Sequence, residues 1–387
     1  MDSRDTREYI SEAQEWLKHD PDPETRNEIN ALLAKGKKEK IKELFNSHLK
    51  FGTAGLRGPL GPGPNMMNRV TVRRLAYGIS AYLNPHATVV VGYDARQKSQ
   101  IFAQDICEVL NAHKIAVCLF PRFIPTPVLA YAVRHLKTDL GIMITASHNP
   151  ASDNGCKIFL NDGAQLRAPI DQEIETLIQS SPLPPTIIPE AKENTTILND
   201  DVWQSYCERI ASSVDGGSPE LRIAYSPLHG VAWDTINTVF ASSNSGQLIP
   251  VNSQVDPDPD FPTTSFPNPE EEGVMDLLLD LANQTEADLA IANDPDGDRL
   301  AAAIPTENGD WRTLSGDEIG ALLFDRMAEK TSGNARKVVS TIVCSSLVPK
   351  IATAKGIHHK ETLTGFKWII PEAYRNESET PIFCYEE

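Results

Sequence analysis

A regular alternation of helical and β-rich stretches between residues 69 and 146 constrains the fold of this chain most strongly. Apolar residues recur at helical spacing over 69–83, 98–113 and 125–136. Short β-rich runs separate these stretches at 88–91, 115–120 and 139–145. Strands that alternate with helices of this length predict a mostly parallel sheet with helices on both faces. In such sheets, ligands bind beyond the carboxyl ends of the strands.

The same alternation recurs more loosely towards the carboxyl end. A second set of stretches predicts strands at 221–225, 248–251 and 288–293 and a helix at 270–283. A third set predicts helices at 317–330 and 347–355 and strands at 337–344 and 381–385. Near the amino end, helical spacing is found for Ile10, Ala13, Trp16 and Leu17.

We therefore predict an α/β protein with three consecutive domains, whose mixed, mostly parallel sheets are sandwiched by helices. The expected domains cover residues 49–205, 206–312 and 313–387, after an N-terminal helical extension at 1–48. The first would hold a serine loop at 145–150, the second an acidic loop at 294–299 and the third a ligand-recognition region.

Charge and composition exclude several classes of protein. The 53 acidic and 36 basic side chains give a formal net charge of −17, which argues against a nucleic-acid partner because such binding needs a basic face. No apolar run approaches the roughly 18 residues of a membrane span, and the first residues lack the apolar core of a signal peptide. The six cysteines form no Cys-x-x-Cys pair, so we expect free thiols and a cytoplasmic location.

A polar loop, Thr145-Ala146-Ser147-His148-Asn149-Pro150, ends the predicted strand at 139–145. We expect Asn154-Gly155-Cys156-Lys157 to lie in the same turn-rich loop. The hydroxyl, imidazole and ammonium groups of Ser147, His148 and Lys157 would then form an activated nucleophile with a charge stabiliser. Taken alone, a neighbouring serine and histidine fit an ordinary turn better, so this interpretation depends on the other motifs.

A second loop, Asp294-Pro295-Asp296-Gly297-Asp298-Arg299, follows the predicted strand at 288–293. Three carboxylates that converge in a tight loop repel one another unless a divalent cation lies among them. Oxygen-only ligands favour Mg²⁺ or Ca²⁺ over Zn²⁺. An EF-hand is excluded because Arg299 and Pro305 stand where it needs glycine and glutamate. An arginine directly after the ligands indicates a nearby phosphate, whereas an acidic surface turn is the plainer alternative.

Three further segments carry groups suited to a polar ligand. The glycine-rich stretch Phe51-Gly52-Thr53-Ala54-Gly55-Leu56-Arg57-Gly58 lets the backbone approach a ligand, and Arg57 can reach a phosphate. The stretch Thr364-Gly365-Phe366-Lys367-Trp368 offers a lysine and an amide. Glu386 and Glu387 directly follow a predicted strand and would suit sugar hydroxyls, although by spacing alone they describe a simple acidic terminus.

Taken in order, these motifs resemble those of the α-D-phosphohexomutases over nearly the whole chain. Their spacing and the helical extension are most similar to the phosphoglucomutase-2/phosphopentomutase branch and its bacterial relatives. The resemblance implies that Ser147 carries a phosphoryl group and, with Asp294, Asp296 and Asp298, binds one Mg²⁺ per active site. The resemblance also implies that the transferring phosphoryl group is surrounded by Arg57, His148, Lys157 and Arg299. It further implies that the sugar-recognition loops contain Thr364, Gly365, Lys367, Glu386 and Glu387.

The reaction implied by the resemblance relocates a phosphoryl group within a phosphosugar. The enzyme would interconvert glucose 1-phosphate and glucose 6-phosphate, or ribose 1-phosphate and ribose 5-phosphate, through a sugar bisphosphate that also acts as activator. Lys157 and His148 are both candidates for the acid or base. Phosphomannose is a less favoured substrate. A Mg²⁺-dependent phosphatase, in which water intercepts the phosphoserine, is a further alternative.

The carboxyl end departs from the pattern of the family. Relatives continue beyond the Glu386–Glu387 pair into a fourth domain, which grips the non-transferring phosphate, whereas this sequence ends at Glu387. We therefore expect a truncated third domain, no fourth domain and poor mutase activity from this chain alone. The corresponding alternative is a catalytically impaired fragment that only binds phosphosugar or a partner.

Overall fold

Three β-sheets, each with helices packed against it, follow one another along the chain in this computed structural model. The structure describes residues 6–52, 55–185, 194–214 and 217–387. Thr53 and Ala54, which belong to the glycine-rich stretch, lie outside the described residues. The predicted α/β class with mixed sheets is confirmed.

The helices and strands of the described residues are as follows. The helices are α1 Thr6–His19, α2 Pro23–Ala34, α3 Lys38–Phe45, α4 Arg69–Tyr82, α5 Ser99–Ala112, α6 Thr126–Leu136, α7 Ile170–Ser180, α8 Asp201–Ser213, α9 Trp233–Ser243, α10 Asp276–Gln284, α11 Gly316–Lys330, α12 Leu347–Ala354 and α13 Phe366–Ala373. The strands are β1 Phe51–Gly52, β2 Gly55–Pro59, β3 Thr88–Tyr93, β4 Ala116–Leu119, β5 Leu140–Ile144, β6 Asp153–Leu160, β7 Thr195–Ile197, β8 Arg222–Ser226, β9 Gln247–Pro250, β10 Leu289–Asn293, β11 Leu300–Pro305, β12 Trp311–Thr313, β13 Arg336–Thr341, β14 His358–Thr362 and β15 Thr380–Cys384. None of the helices in these ranges combines the length and apolar character that crossing a bilayer requires.

The first three helices form one apolar cluster that packs against α4. Helical spacing places Tyr9 and Trp16 on one face of α1, where both are buried. The Asp22 side chain caps α2 by accepting from the backbone N–H of Glu24 at 3.0 Å. Val70 of α4 belongs to the same cluster, so these helices are anchored to the helical layer of the first sheet.

The first sheet has the strand order β1-β2-β6-β5-β3-β4-β7. Strands β5, β3, β4 and β7 are parallel, whereas β5, β6, β2 and β1 pair antiparallel. Every residue of β5 is buried, because α4, α5 and α7 cover one face of the sheet while α6 and α8 cover the other. This burial explains the uninterrupted apolar run in the sequence.

The prediction that Asn154 to Lys157 lie in a turn-rich loop is wrong. These residues belong to β6, which runs antiparallel beside β5 and pairs Lys157 with Met143. Asparagine and glycine are depleted in strands, so Asn154 and Gly155 make the sequence of β6 resemble a loop. Gly155 is required because a Cβ there would lie 2.5 Å from the carbonyl oxygen of Leu56. Strand β6 therefore places Lys157 near the carboxyl end of β5, where the serine loop begins.

The second and third sheets follow the predicted alternation with shifted ends. The second, β12-β11-β10-β8-β9, is mixed, and the third, β14-β13-β15, is parallel. The helix predicted at 270–283 begins only at Asp276, because Gly273 has a left-handed φ of 81°. The strand predicted at 337–344 ends at Thr341, where the chain turns and Cys344 N–H donates to the Thr341 carbonyl oxygen.

Candidate active site

Ser147 lies in the loop that leaves β5, in a backbone conformation that serine rarely adopts. Its φ is 55°, in the left-handed region. The Ser147 N–H donates to Oγ1 of Thr145 at 2.8 Å, which secures the turn. Ser147 is only 2% exposed, and its Oγ donates to Oδ2 of Asp294 at 3.0 Å. The loop after β5 therefore meets the loop after β10 at this hydroxyl.

The buried guanidinium of Arg96 holds the serine loop in place. Arg96 follows β3, the parallel neighbour of β5. Its N–H groups donate to backbone carbonyl oxygens of Ser147 (2.7 Å), Asn149 (2.5 Å), Pro150 (2.8 Å) and Asp153 (3.1 Å). Arg96 is not among the residues that the motifs predict, although a polar residue just beyond a buried strand is a usable signal in this fold class.

Replacing Arg96 with methionine is expected to destabilise the protein. Methionine leaves the loop carbonyl groups without their donor, and an unsatisfied buried polar group costs about 1–3 kcal/mol. We expect the free energy of unfolding, measured by urea denaturation, to fall by about 2–4 kcal/mol. The same change at Arg312, which is half exposed and pairs with Glu318, should cost less than about 1 kcal/mol. A loss at Arg96 no larger than at Arg312 would contradict the role of Arg96.

Asp294, Asp296 and Asp298 converge in the loop between β10 and β11. Each presents a carboxylate oxygen, and the three oxygens lie within 4.8 Å of one another. Gly297 has a left-handed φ of 68°, which allows the tight turn. Oδ1 of Asp294 accepts the backbone N–H groups of Asp298 at 3.1 Å and of Arg299 at 2.9 Å. These bonds hold the loop in the conformation that brings the carboxylates together.

Lys157 compensates part of this negative charge. Its Nζ lies 2.6 Å from Oδ2 of Asp296 and 2.6 Å from Oδ2 of Asp298. Burial disfavours the ammonium group, but the two carboxylates outweigh burial and raise the pKa of Lys157. Lys157 is therefore protonated at physiological pH and belongs to the acidic cluster as its cation.

The three carboxylates differ in their tendency to ionise. Burial, followed by the charges of Asp296 and Asp298, raises the pKa of Asp294 well above its usual range. Partial burial and then the Asp296 charge also raise the pKa of Asp298, whose side chain is 24% exposed. For Asp296, burial is outweighed by Lys157, so its pKa is lowered. With three carboxylates beside one ammonium group, the fully ionised cluster carries excess negative charge.

The donor set fits a divalent cation that prefers oxygen. The ionised cluster keeps excess negative charge, and Oδ1 of Asp296 is buried without a hydrogen-bond partner among the described residues. Buried carboxylate oxygens without a partner are costly, and hard cations such as Mg²⁺ and Ca²⁺ satisfy them. The acidic loop is thus a candidate metal site.

His148 and Arg57 border the same centre. Nδ1 of His148 lies 3.3 Å from Oγ of Ser147, and its ring packs edge-on against Phe266. Burial, followed by the charges of Arg299 and Arg57, lowers the pKa of His148 to about 4, so the imidazole is neutral at physiological pH. Arg57 lies on β2, and its Nε is buried without a hydrogen-bond partner in the described part of the chain. The charge of Arg57 therefore acts on the neutral imidazole that lies beside the serine hydroxyl.

The end of β15 brings a further carboxylate towards the acidic loop. Burial and the neighbouring Glu387 raise the pKa of Glu386, and the charges of Arg299 and Asp298 also act on it. The backbone of Gly365, whose φ is 113°, acts on the same carboxyl group in the opposite direction and lowers its pKa. Two loops of the third sheet therefore meet at Glu386.

The other predicted residues of the third α/β unit lie just beyond β15 or around the start of α13. Oε2 of Glu387 accepts from Oγ1 of Thr341 at 3.1 Å and from Sγ of Cys344 at 3.0 Å. Thr364 is exposed just before α13, and Lys367 lies in the first turn of that helix. The two glutamates that the sequence places side by side thus have different surroundings, although the charge of Glu387 still acts on Glu386.

Thr126, at the start of α6, is a second contributor that the motifs do not predict. It is 3% exposed. Its N–H donates to the backbone carbonyl oxygen of Asp296 at 2.8 Å, and its Oγ1 donates to Oδ2 of Asp296 at 2.6 Å. A helix of the first sheet is thereby joined to the acidic loop of the second. A threonine between Pro125 and Pro127 is a weak sequence signal, because it also suits an ordinary helix start.

Comparison with known proteins defines the family. Three protein-family models match the chain in order: phosphoglucomutase/phosphomannomutase alpha/beta/alpha domain I at residues 48–183, domain II at 204–309 and domain III at 315–387. A phosphopentomutase from Mus musculus is 35% identical, over 97% of this chain and 66% of its own length. A phosphoglucomutase from Staphylococcus aureus strain MRSA252 is 38% identical, over 89% of this chain and 64% of its own length.

Solved structures share the fold. A phosphoglucomutase/phosphomannomutase family protein from Burkholderia thailandensis has a TM-score of 0.70 at 21% identity, over 84% of this chain and 69% of that chain. The chain therefore belongs to the phosphoglucomutase/phosphomannomutase family, the α-D-phosphohexomutases, as its motifs predict. It spans about two thirds of the length of the curated relatives cited above.

Proposed function

We propose that this chain is a phosphosugar mutase that carries its phosphoryl group on Ser147. The observation that carries the proposal is the 3.0 Å hydrogen bond between Oγ of Ser147 and Oδ2 of Asp294, which joins a candidate nucleophile to three converging carboxylates. Such a pairing suits a phosphoserine only where positive charge is at hand, and Arg57, Lys157 and Arg299 would supply it. The names of the relatives, phosphopentomutase and phosphoglucomutase, support the same class of reaction.

One Mg²⁺ would be held by Asp294, Asp296 and Asp298 together with an oxygen of Ser147 or of its phosphate. Oxygen-only ligands favour this ion, and the unpartnered Oδ1 of Asp296 is an available ligand atom. When bound, the ion would supply positive charge to the oxygens of the phosphoryl group.

The side chains around Ser147 would stabilise and transfer the phosphoryl group. The guanidinium groups of Arg57 and Arg299 match the oxygens of a phosphate. Lys157 stays protonated beside its carboxylates and would contribute charge. His148 is neutral and 3.3 Å from the hydroxyl, so it is the better candidate to accept a proton. Phosphoryl transfer needs little more from a protein than positioning and charge neutralisation.

The sugar would be held by the loops of the third sheet. Glu386, next to the Gly365 backbone and within reach of the Arg299 charge, would accept hydrogen bonds from sugar hydroxyls. Thr364, Lys367 and Glu387 would complete this region. We propose glucose 1-phosphate or ribose 1-phosphate as substrate, with a sugar bisphosphate as activator, following the names of the relatives. The six free cysteines support a cytoplasmic location.

The proposal is tested by following the phosphoryl group through one transfer. The chain is incubated with Mg²⁺ and glucose 1,6-bisphosphate, freed of excess sugar, and mixed with glucose 1-phosphate or ribose 1-phosphate. A mutase returns the phosphoryl group to the sugar, so a sugar bisphosphate appears while the protein loses the mass of one phosphoryl group. Release as inorganic phosphate alone would indicate a phosphatase. A chain that never gains phosphoryl mass would contradict both functions.

A further inference from the structure

We propose that Thr126 is a positioning residue of the candidate metal site, whose hydroxyl group orients the Asp296 carboxylate so that one oxygen is directed to the cation. This inference rests on the proposed function, because it requires that the acidic loop binds a divalent cation. It concerns α6, which packs on the first sheet and donates a hydrogen bond to the acidic loop of the second sheet.

The two oxygens of the Asp296 carboxylate have unequal surroundings. Oδ2 accepts from Oγ1 of Thr126 and from Nζ of Lys157, each at 2.6 Å, which uses both of its lone pairs. Oδ1 is buried and has no hydrogen-bond partner among the residues that the structure describes. Because buried acceptors are normally satisfied, Oδ1 is the oxygen that a ligand would complete. The donors on Oδ2 therefore decide which oxygen would remain available to a cation.

Of the two donors, Thr126 is the one that fixes the orientation. The Lys157 ammonium group is shared with Asp298 and sits on a long flexible side chain. Thr126 has a short, branched side chain with few rotamers. Its backbone N–H also donates to the main-chain oxygen of Asp296 at 2.8 Å. Because Thr126 holds both the main chain and the side chain of Asp296, the torsion between them is defined.

Thr126 is itself held rigidly. It begins α6 between Pro125 and Pro127, whose rings fix their own φ angles. Pro125 also lies close to the acidic loop, since a Cβ added to Gly297 would lie 3.2 Å from Cβ of Pro125. Helix α6 packs on β3 and β5. The helix that supports the strand leading to Ser147 therefore also supports the loop of the candidate metal ligands.

An ordinary helix cap does not account for this threonine. Threonine at a helix start usually accepts a hydrogen bond from an N–H group of its own helix. Helix α6 instead has Pro125 at its N-cap, without a side-chain capping bond, and the single hydroxyl proton of Thr126 is donated to Asp296. The side chain thus serves the acidic loop.

The test is Thr126→Val, which removes the hydroxyl donor and retains the shape of the side chain and the backbone N–H. Loss of a hydrogen-bond partner of a metal ligand typically weakens metal affinity about 10–100-fold. We expect the full chain with Thr126→Val to bind Mn²⁺ about 10-fold more weakly, measured from the electron paramagnetic resonance of the free ion. Thr126→Ser, which keeps the hydroxyl group, should bind like the wild type. In an Asp296→Asn background, Thr126→Val should have no further effect.

Equal Mn²⁺ affinity of the wild type and Thr126→Val would overturn the inference. If Thr126 has only a structural role, Thr126→Val will lower the melting temperature of the metal-free protein but leave the Mn²⁺ affinity of the folded protein unchanged. That result would also contradict the inference. If Thr126→Val does not fold, Thr126→Ala takes its place under the same criterion. Absence of Mn²⁺ binding by the wild type would instead overturn the proposed metal site, and this inference with it.

Discussion

Ser147→Ala is expected to abolish phosphoryl incorporation from glucose 1,6-bisphosphate. The substitution removes the oxygen that would receive the phosphoryl group beside the acidic loop, 3.0 Å from Oδ2 of Asp294. Intact-mass spectrometry after incubation with the bisphosphate and Mg²⁺ measures the effect. The wild type should gain the mass of one phosphoryl group, and the variant should gain none.

Two further variants separate chemistry from folding in this experiment. Ser147→Gly removes the same hydroxyl group but suits the left-handed φ of 55°, so it should fold well and still remain unphosphorylated. Ser152→Ala changes an exposed serine that donates to Asp153 at 2.9 Å, and it should be phosphorylated normally. Phosphoryl mass that persists in Ser147→Ala would refute Ser147 as the acceptor.

Asp296→Asn has the second of the two largest expected effects. The amide replaces a charged candidate ligand with a neutral one and leaves Lys157 paired with Asp298 alone. Loss of a ligand's supporting partner already costs about 10–100-fold in metal affinity, so loss of the ligand itself should cost at least about 100-fold. Calorimetric titration with Mg²⁺ measures this effect, and phosphoryl incorporation at limiting Mg²⁺ should fall in parallel.

The matched control is Asp280→Asn, which makes the same change of charge at an exposed position of α10. It should leave the Mg²⁺ titration unchanged. A titration of Asp296→Asn that matches the wild type would count against the acidic loop as the metal site. Equal weakening in both variants would indicate a general effect of net charge instead.

The strands that lead to the site can be predicted because they are apolar and largely buried. Strands β5 and β10 appear in the sequence as short apolar runs, and a polar loop follows each of them. The chemistry of each loop is contained in consecutive residues, so Ser147 and the three aspartates are visible without a structure. Sequence patterns also predict the helical extension, because one face of α1 repeats at helical spacing.

The supports of the site cannot be read from the sequence because they join distant positions. Arg96 donates to the carbonyl oxygen of Ser147, 51 residues later, and Thr126 donates to Asp296, 170 residues later. Backbone carbonyl groups are present at every residue and give no sequence signal. Lys157 is predicted as a site residue but not on a strand, because Gly155 is needed for close backbone packing and disguises β6.

The sequence also does not predict that the two carboxyl-terminal glutamates have different surroundings. Adjacent residues of an extended chain point to opposite sides, so neighbours in sequence need not share a site. The Gly365 backbone and the charges of Arg299 and Asp298 act on Glu386, whereas Glu387 accepts from Thr341 in its own sheet. Only the packing of the third sheet reveals this division.

The central claim is that Ser147 and the acidic loop form one phosphoryl-transfer centre, and phosphorus NMR tests it most directly. The phosphorylated chain is titrated with Mn²⁺, which broadens the signal of a phosphorus nucleus only at close range. We predict that the phosphoserine signal of the wild type disappears at stoichiometric Mn²⁺, whereas Asp296→Asn keeps a sharp signal at the same concentration. A wild-type signal that stays sharp with Mn²⁺ bound would contradict the claim, because the serine and the cation would then occupy separate sites.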